Sequence, residues 1–269
     1  MEIQWSLVIF SSFAGAAGWL LAALAIDEVR GKCKGIRFTV AAVAIVLLVV
    51  GGIASVTHLS HPDRVMGALS HPTSDIFYEA LLTGIAVICA AVYMVLLKRG
   101  AGDGARKAFA IAAALVGIAL SFVSGLGYAV MDARYSWNTP LLPCGYLATS
   151  IPVGFGLYLA IALFGKEEKT DWELSARCTV IGGVLAALVA AAYAAISGTA
   201  ASNPAVIWGL VVCVGGIGSA ALGFLASKKE DGALSMAVAA CAAALVGSIA
   251  FRCFMWMTTT VVANMFLQL

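Results

Sequence analysis

Four ionisable side chains stand apart in this sequence: His58, Arg64, Glu79 and Arg252. They lie at or inside the edges of long apolar runs, where a charge is costly and marks a functional site by default. Glu79 sits about one turn into a run that starts near Asp75, and His58 closes the run before it. A carboxylate and an imidazole are both proton acceptors. Placed at a lipid–water boundary, they suit an amphiphilic ligand that exchanges protons, such as a quinol with two ring hydroxyls and an apolar tail. Arg64 and Arg252 would balance the Glu79 charge or touch a docked partner. A second reading is structural: Glu79 and Arg252 neutralise each other between helices. His61 and His71 each precede a Pro and read as solvated or partner-facing.

The elements that hold these residues are legible from composition. The 269 residues are 62% hydrophobic and 11% charged, against about 45–50% and 25% in a soluble domain. That excludes a soluble enzyme, a disordered chain and, with a net charge of only +2, a nucleic-acid binder. Apolar runs fall near 3–26, 38–57, 75–97, 108–131, 143–164, 176–197, 205–226 and 234–262. Each is long enough to cross ~30 Å of hydrocarbon as a helix. The fold expected over 1–269 is therefore one all-α integral membrane domain with eight transmembrane helices, divided naturally into two four-helix halves. The break between the first two runs is read as Asp27–Arg37.

The breaks also give orientation. Of the 16 Lys and Arg, 13 flank the first, third, fifth and seventh connections; the others are Arg64, Arg134 and Arg252. The positive-inside rule makes those connections cytoplasmic. Both termini are then on the outer, periplasmic or extracellular side. The opening Met1-Glu2-Ile3-Gln4-Trp5 has no basic stretch, so the first run reads as a retained span. Arg252 lies 18 residues into the last run, ~27 Å from its inner start at 1.5 Å per residue. It belongs with Glu79 near the outer leaflet. The six Trp fall mostly near span ends, as interfacial anchors do.

Several motifs carry no chemistry. Gly216-x-Gly218-x-x-Ala221 matches a dinucleotide fingerprint but sits inside a span, where small residues serve helix packing. Gly100-Ala101-Gly102-Asp103-Gly104 lacks the Gly-Lys-Ser/Thr ending of a phosphate loop. The seven Cys are scattered, unlike the clustered thiolates of an iron–sulfur site, so no cluster is expected in this chain. The three His fall in one connection or its edge. They offer neither facing axial ligands for haem nor a standard metal spacing. No haem and no metal are expected.

His58-Leu59-Ser60-His61-Pro62-Asp63-Arg64-Val65, then Leu69 and Glu79, resembles the motif of the DMSO reductase anchor subunit family. Other stretches follow in the family's order: Trp5-x-Leu7-x-Ile9-Phe10, Trp137-Asn138-Thr139-Pro140, Pro143-x-Gly145-Tyr146-x-x-Thr149, and Gly247-x-x-x-x-Arg252 in the last span. The chain departs from the pattern at Ser60, Gly15 and Ser248. The resemblance implies an eight-helix, haem-free anchor in the bacterial cytoplasmic (inner) membrane. Such an anchor oxidises menaquinol near the outer face. It feeds a four-cluster iron–sulfur subunit and, through it, a molybdopterin catalytic subunit. His58 and Glu79 would take quinol protons; Arg64 and Arg252 would complete the quinol site. The rivals are a proton-translocating anchor of the polysulfide-reductase-like kind, a secondary transporter and a passive anchor. The proton-translocating anchor needs protonatable residues across the bilayer, and the transporter broken helices meeting at the midplane.

Overall fold

A stretch of polypeptide that meets lipid must close its own backbone hydrogen bonds, and a helix does so within itself. The computed structural model describes residues 2–57, 67, 71–229 and 231–259. Among them are eight helices long and apolar enough to span a membrane, and no strand. They are α1 (Trp5–Arg30), α2 (Arg37–Val56), α3 (Asp75–Lys98), α4 (Asp103–Ala129), α5 (Leu141–Phe164), α6 (Lys169–Ile196), α7 (Ala205–Lys228) and α8 (Ala233–Met257). Their outward faces carry bare apolar side chains such as Val46, Ile53, Ile88, Leu115 and Leu188. A surface as oily as the core is stable only against hydrocarbon.

α1 and α5 are the most enclosed helices and pack on each other; α2 and α4 flank α1, and α6 and α8 flank α5. Lipid gives no hydrophobic drive between helices, so close approach through small residues does the work. Gly18 of α1 meets Gly117 of α4 backbone to backbone, and Gly154 of α5 lies against Trp19 and Leu20. Gly215 of α7 meets Gly247 of α8, and Gly216 lies on Gly183 and Ala187 of α6. The fingerprint-like glycines are thus packing residues. α7 departs from the expected plain helix: Ala205–Gly218 is wound as a π-helix before α-helix resumes at Ser219.

The two ends of the bundle differ. The basic end holds the 13 clustered Lys and Arg, around the close of α1, α3, α5 and α7 and the start of α2, α4 and α6. Here α1 runs further than the hydropathy reading gave. It continues to Arg30 and stops at Gly31, whose φ of 73° is left-handed; Lys32 N then donates to Asp27 O at 2.8 Å. Asp27 and Glu28 are therefore buried helix residues, each 1% exposed, and not part of the first connection. Glu28 accepts from Tyr93 Oη of α3 at 2.7 Å, Arg37 Nη1 of α2 at 2.6 Å and Arg106 Nε of α4 at 3.2 Å. Asp27 accepts from Tyr158 Oη of α5 at 2.9 Å and Arg30 Nη1 at 2.8 Å. Five helices are tied at one end by two carboxylates.

The Trp residues also depart from expectation. Trp5 is exposed as an interfacial anchor should be, but Trp137, Trp172 and Trp256 are buried. At the end opposite the basic cluster, Tyr128, Trp137 and Trp256 stack edge to face at 5.0–5.8 Å. Trp137 Nε1 donates to Met255 O at 2.8 Å, and Arg134 lies 4.4 Å over the Trp137 ring. Buried aromatic pairs and a satisfied indole N–H fix α4, α5 and α8 against one another.

Two outcomes follow for the fold. Gly18→Leu removes the room for Gly117 and should abolish a monodisperse species on size exclusion in detergent. Gly52→Leu, where an added Cβ meets open space, should leave it intact. Glu28→Gln breaks a buried ion cluster and should cost about 3–5 kcal/mol in a denaturant titration. Asp103→Asn, at the exposed edge of the same cluster, should cost under about 1 kcal/mol.

Candidate functional site

α3 opens at the end opposite the basic cluster. Ser74 caps it, its Oγ accepting from Phe77 N at 3.2 Å, and Asp75 stands in the first turn. Both features favour helix initiation there. They fix Glu79 one turn further in, facing α4. On α4, Ser124, Gly127 and Tyr128 fall at i, i+3 and i+4 and so share one face. Gly127 lets the helices close up, since a Cβ there would stand 3.0 Å from the Asp75 carboxyl. Between α3, the end of α4 and the start of α1 lies a cavity of about 440 Å³. Its wall includes Leu7, Asp75, Glu79, Ser124, Tyr128 and Met131. That volume lies within the range of small-molecule sites.

The wall is chemically mixed. Leu7, Ile76, Met131 and the Tyr128 ring offer an apolar slot, while Asp75, Glu79 and Ser124 offer polar atoms. Glu79 contributes a carboxylate at the protein–lipid boundary. No Lys or Arg among the described residues pairs with it; the ion pairs there belong to the basic end. The Tyr128 ring lies 6.1 Å from Tyr146, and the Arg252 guanidinium sits 4.5 Å over Tyr146.

The sequence-predicted residues separate here. Glu79 lines the cavity. Arg252 does not: its side chain turns into the α1–α5–α8 junction and is fully buried. Nε donates to Ser11 Oγ at 2.9 Å, Nη1 to Ser248 Oγ at 2.6 Å and Ser248 O at 2.9 Å, and Nη2 to Ser11 O at 3.0 Å and Ser150 Oγ at 3.2 Å. The Glu79–Arg252 pair of the structural reading is therefore not formed. Neutral oxygens close enough to saturate the fork stand in for a carboxylate. His58, His61 and Arg64 fall outside the described residues. His71 is exposed, with its carbonyl accepting from Ser74 Oγ at 2.9 Å.

Among the described residues one three-ligand grouping has metal-like spacing: Cys33, Glu167 and Asp171, with donor atoms within 4.8 Å of one another. Its acceptors are already used. Asp171 takes Lys32 Nζ at 2.7 Å and Cys33 N at 3.3 Å, and Glu167 takes Gly35 N at 2.8 Å. Burial pushes the Cys33 thiol up to about 12. The grouping clamps the α1–α2 connection to α6.

Sequence reasoning missed Ser124 and Tyr128. The signal was present: from Glu79 the nearest polar residues on a neighbouring span at equal depth are those near the close of α4.

The model of the family "DMSO reductase anchor subunit (DmsC)" matches residues 1–204. No curated protein matches the chain. The family match ends at Pro204, directly before α7. It covers the cavity and its three helices. The resemblance at Gly247 and Arg252 lies beyond it.

Proposed function

The chain belongs to the DMSO reductase anchor subunit family, membrane anchors of molybdopterin oxidoreductases, and we propose that it oxidises a menaquinol-type quinol at the Glu79 cavity. The observation that carries this reading is a carboxylate at the wall of a part-apolar cavity of about 440 Å³ between membrane-spanning helices. A ring head fits such a slot, and an apolar tail can trail into lipid.

The chemistry is a two-electron oxidation: quinol gives quinone, two protons and two electrons. Glu79 accepts one ring proton and Asp75, one turn nearer the mouth, provides an exposed carboxylate toward water. His58, at the start of the α2–α3 connection in sequence, is the second proton acceptor, and Arg64 and Arg252 balance charge nearby. Arg252 acts at a distance, through Tyr146 and Tyr128. The electrons leave to a four-cluster iron–sulfur subunit docked on the same face, and from it to a molybdopterin catalytic subunit. The basic end supports a cytoplasmic assignment for the α1–α2 side. On this reading both termini and the Glu79 cavity lie at the outer face of a bacterial inner membrane, and the eight helices divide into two four-helix halves.

Glu79→Gln and His58→Ala should each lower turnover of a soluble naphthoquinol by at least about 100-fold, general acid–base groups being worth 10²–10⁴. The assembled complex should still be recovered from membranes; loss of the complex instead would make these residues structural. Protons and electrons released on one side also carry no net charge across the bilayer. Turnover in sealed vesicles, followed with a potential-sensitive dye, should give no signal. A potential built by this subunit would favour the proton-translocating rival.

A further inference from the structure

Buried hydroxyls in these helices have a habit. Ser11 Oγ donates to Leu7 O at 2.8 Å, Thr83 Oγ1 to Glu79 O at 2.7 Å, Thr149 Oγ1 to Gly145 O at 2.7 Å and Ser150 Oγ to Tyr146 O at 2.8 Å. Each turns back on the carbonyl four residues earlier. That is the usual way to satisfy a hydroxyl where no water reaches.

Ser124 breaks the habit. It is 2% exposed, its Oγ has no free surface, and it closes no hydrogen bond of normal geometry within the protein. Its near polar neighbour on the cavity wall is the Glu79 carboxyl, which the hydroxyl approaches without closing a hydrogen bond of normal geometry. Ser121, one turn earlier on α4, reaches the Tyr146 carbonyl at 3.5 Å, so of these two α4 hydroxyls Ser124 is the one whose residue lines the cavity. Ser12, also buried and unpartnered, is not part of that wall. An enclosed hydroxyl without a partner is uncommon in native proteins and marks a missing ligand or water.

We infer that Ser124 is the second hydrogen-bonding contact for the ligand's ring head, beside Glu79. This rests on the quinol reading of the cavity and names a residue that reading does not use. A hydroxyl both donates and accepts. It therefore accepts from the O–H of a bound quinol and donates to the C=O of the quinone formed, with no change of its own protonation. Two fixed polar atoms on one side of a flat slot select a ring with oxygens over a bare acyl chain. A hydroxyl with no partner in the protein gains one when the ring enters.

The test uses the full complex purified in detergent, with 2,3-dimethyl-1,4-naphthoquinone and its quinol as probes. Ser124→Ala should raise the KM for the quinol and the Kd for the quinone roughly 5- to 20-fold, the effect of one neutral hydrogen bond and the polar group it leaves unmet. The ligand-free unfolding temperature should stay equal or rise, because no protein hydrogen bond is lost. Quinone-induced thermal stabilisation should shrink with the affinity. Unchanged quinone affinity in Ser124→Ala overturns the assignment, and so does a ligand-free unfolding temperature that falls, since the hydroxyl would then be structural. Glu79→Gln runs alongside. If it lowers turnover while Ser124→Ala is silent, the quinol reading stands and this inference fails. If both are silent, both fail together.

Discussion

Water does not reach the hydrocarbon core of a membrane, so each polar atom in a span must find its partner inside the protein. That constraint organises this molecule. It explains why Arg252 collects Ser11, Thr149, Ser150 and Ser248 around its fork, and why Ser11 and Ser150 also bond along their own helices. It explains why Asp27 and Glu28 draw in two tyrosines and three arginines. It also gives the few exceptions their meaning. Ser12 and Ser124 are the buried hydroxyls without a partner among the described residues, and of the two Ser124 lies on the cavity wall.

The same constraint is met differently at the two ends. The basic end uses ions. Glu28 alone touches α2, α3 and α4, and the Lys32–Asp171 pair fastens the α1–α2 connection to α6. The Asp171 carboxylate beside it holds Lys32 above the usual lysine range. The other end uses rings and neutral donors. Tyr128, Trp137, Tyr146 and Trp256 lock together, and Tyr193 Oη closes on Ser136 O at 2.9 Å. Ion networks with matched partners have no charge left to offer. Among the described residues the α4 frame around Glu79 is aromatic and neutral.

Much of this was legible in the sequence, because span length and Lys/Arg bias are one-dimensional signals. All eight helices fall where the apolar runs do, and Glu79 was singled out by being a charge inside one. The failures share a cause. A hydropathy window ends α1 at the first acid, so Asp27 and Glu28 read as connection. The true stop is Gly31, whose left-handed φ was the better marker. Trp137 and Trp256 read as interfacial anchors because window position carries depth but not which side of the helix faces a neighbour. Arg252 and Glu79 were paired by depth alone; the Tyr146 ring against Arg252 and the hydroxyls around its fork put the guanidinium in a different junction.

That separation changes what Arg252 can do. A guanidinium in contact with a bound quinol would serve as a hydrogen-bond donor with a fixed geometry. One held by α1, α5 and α8 oxygens is a permanent positive charge set back from the cavity by two aromatic rings. In a medium of low dielectric its field still reaches the slot, and under the proposed function it would favour an anionic ring as a quinol lost its protons. Direct contact is left to Glu79 and to the small residues around it. Ser124 and Gly127 occupy the α4 face opposite. A larger side chain at either would fill the space that a flat ring needs, so the cavity depends on small residues as much as on its carboxylate.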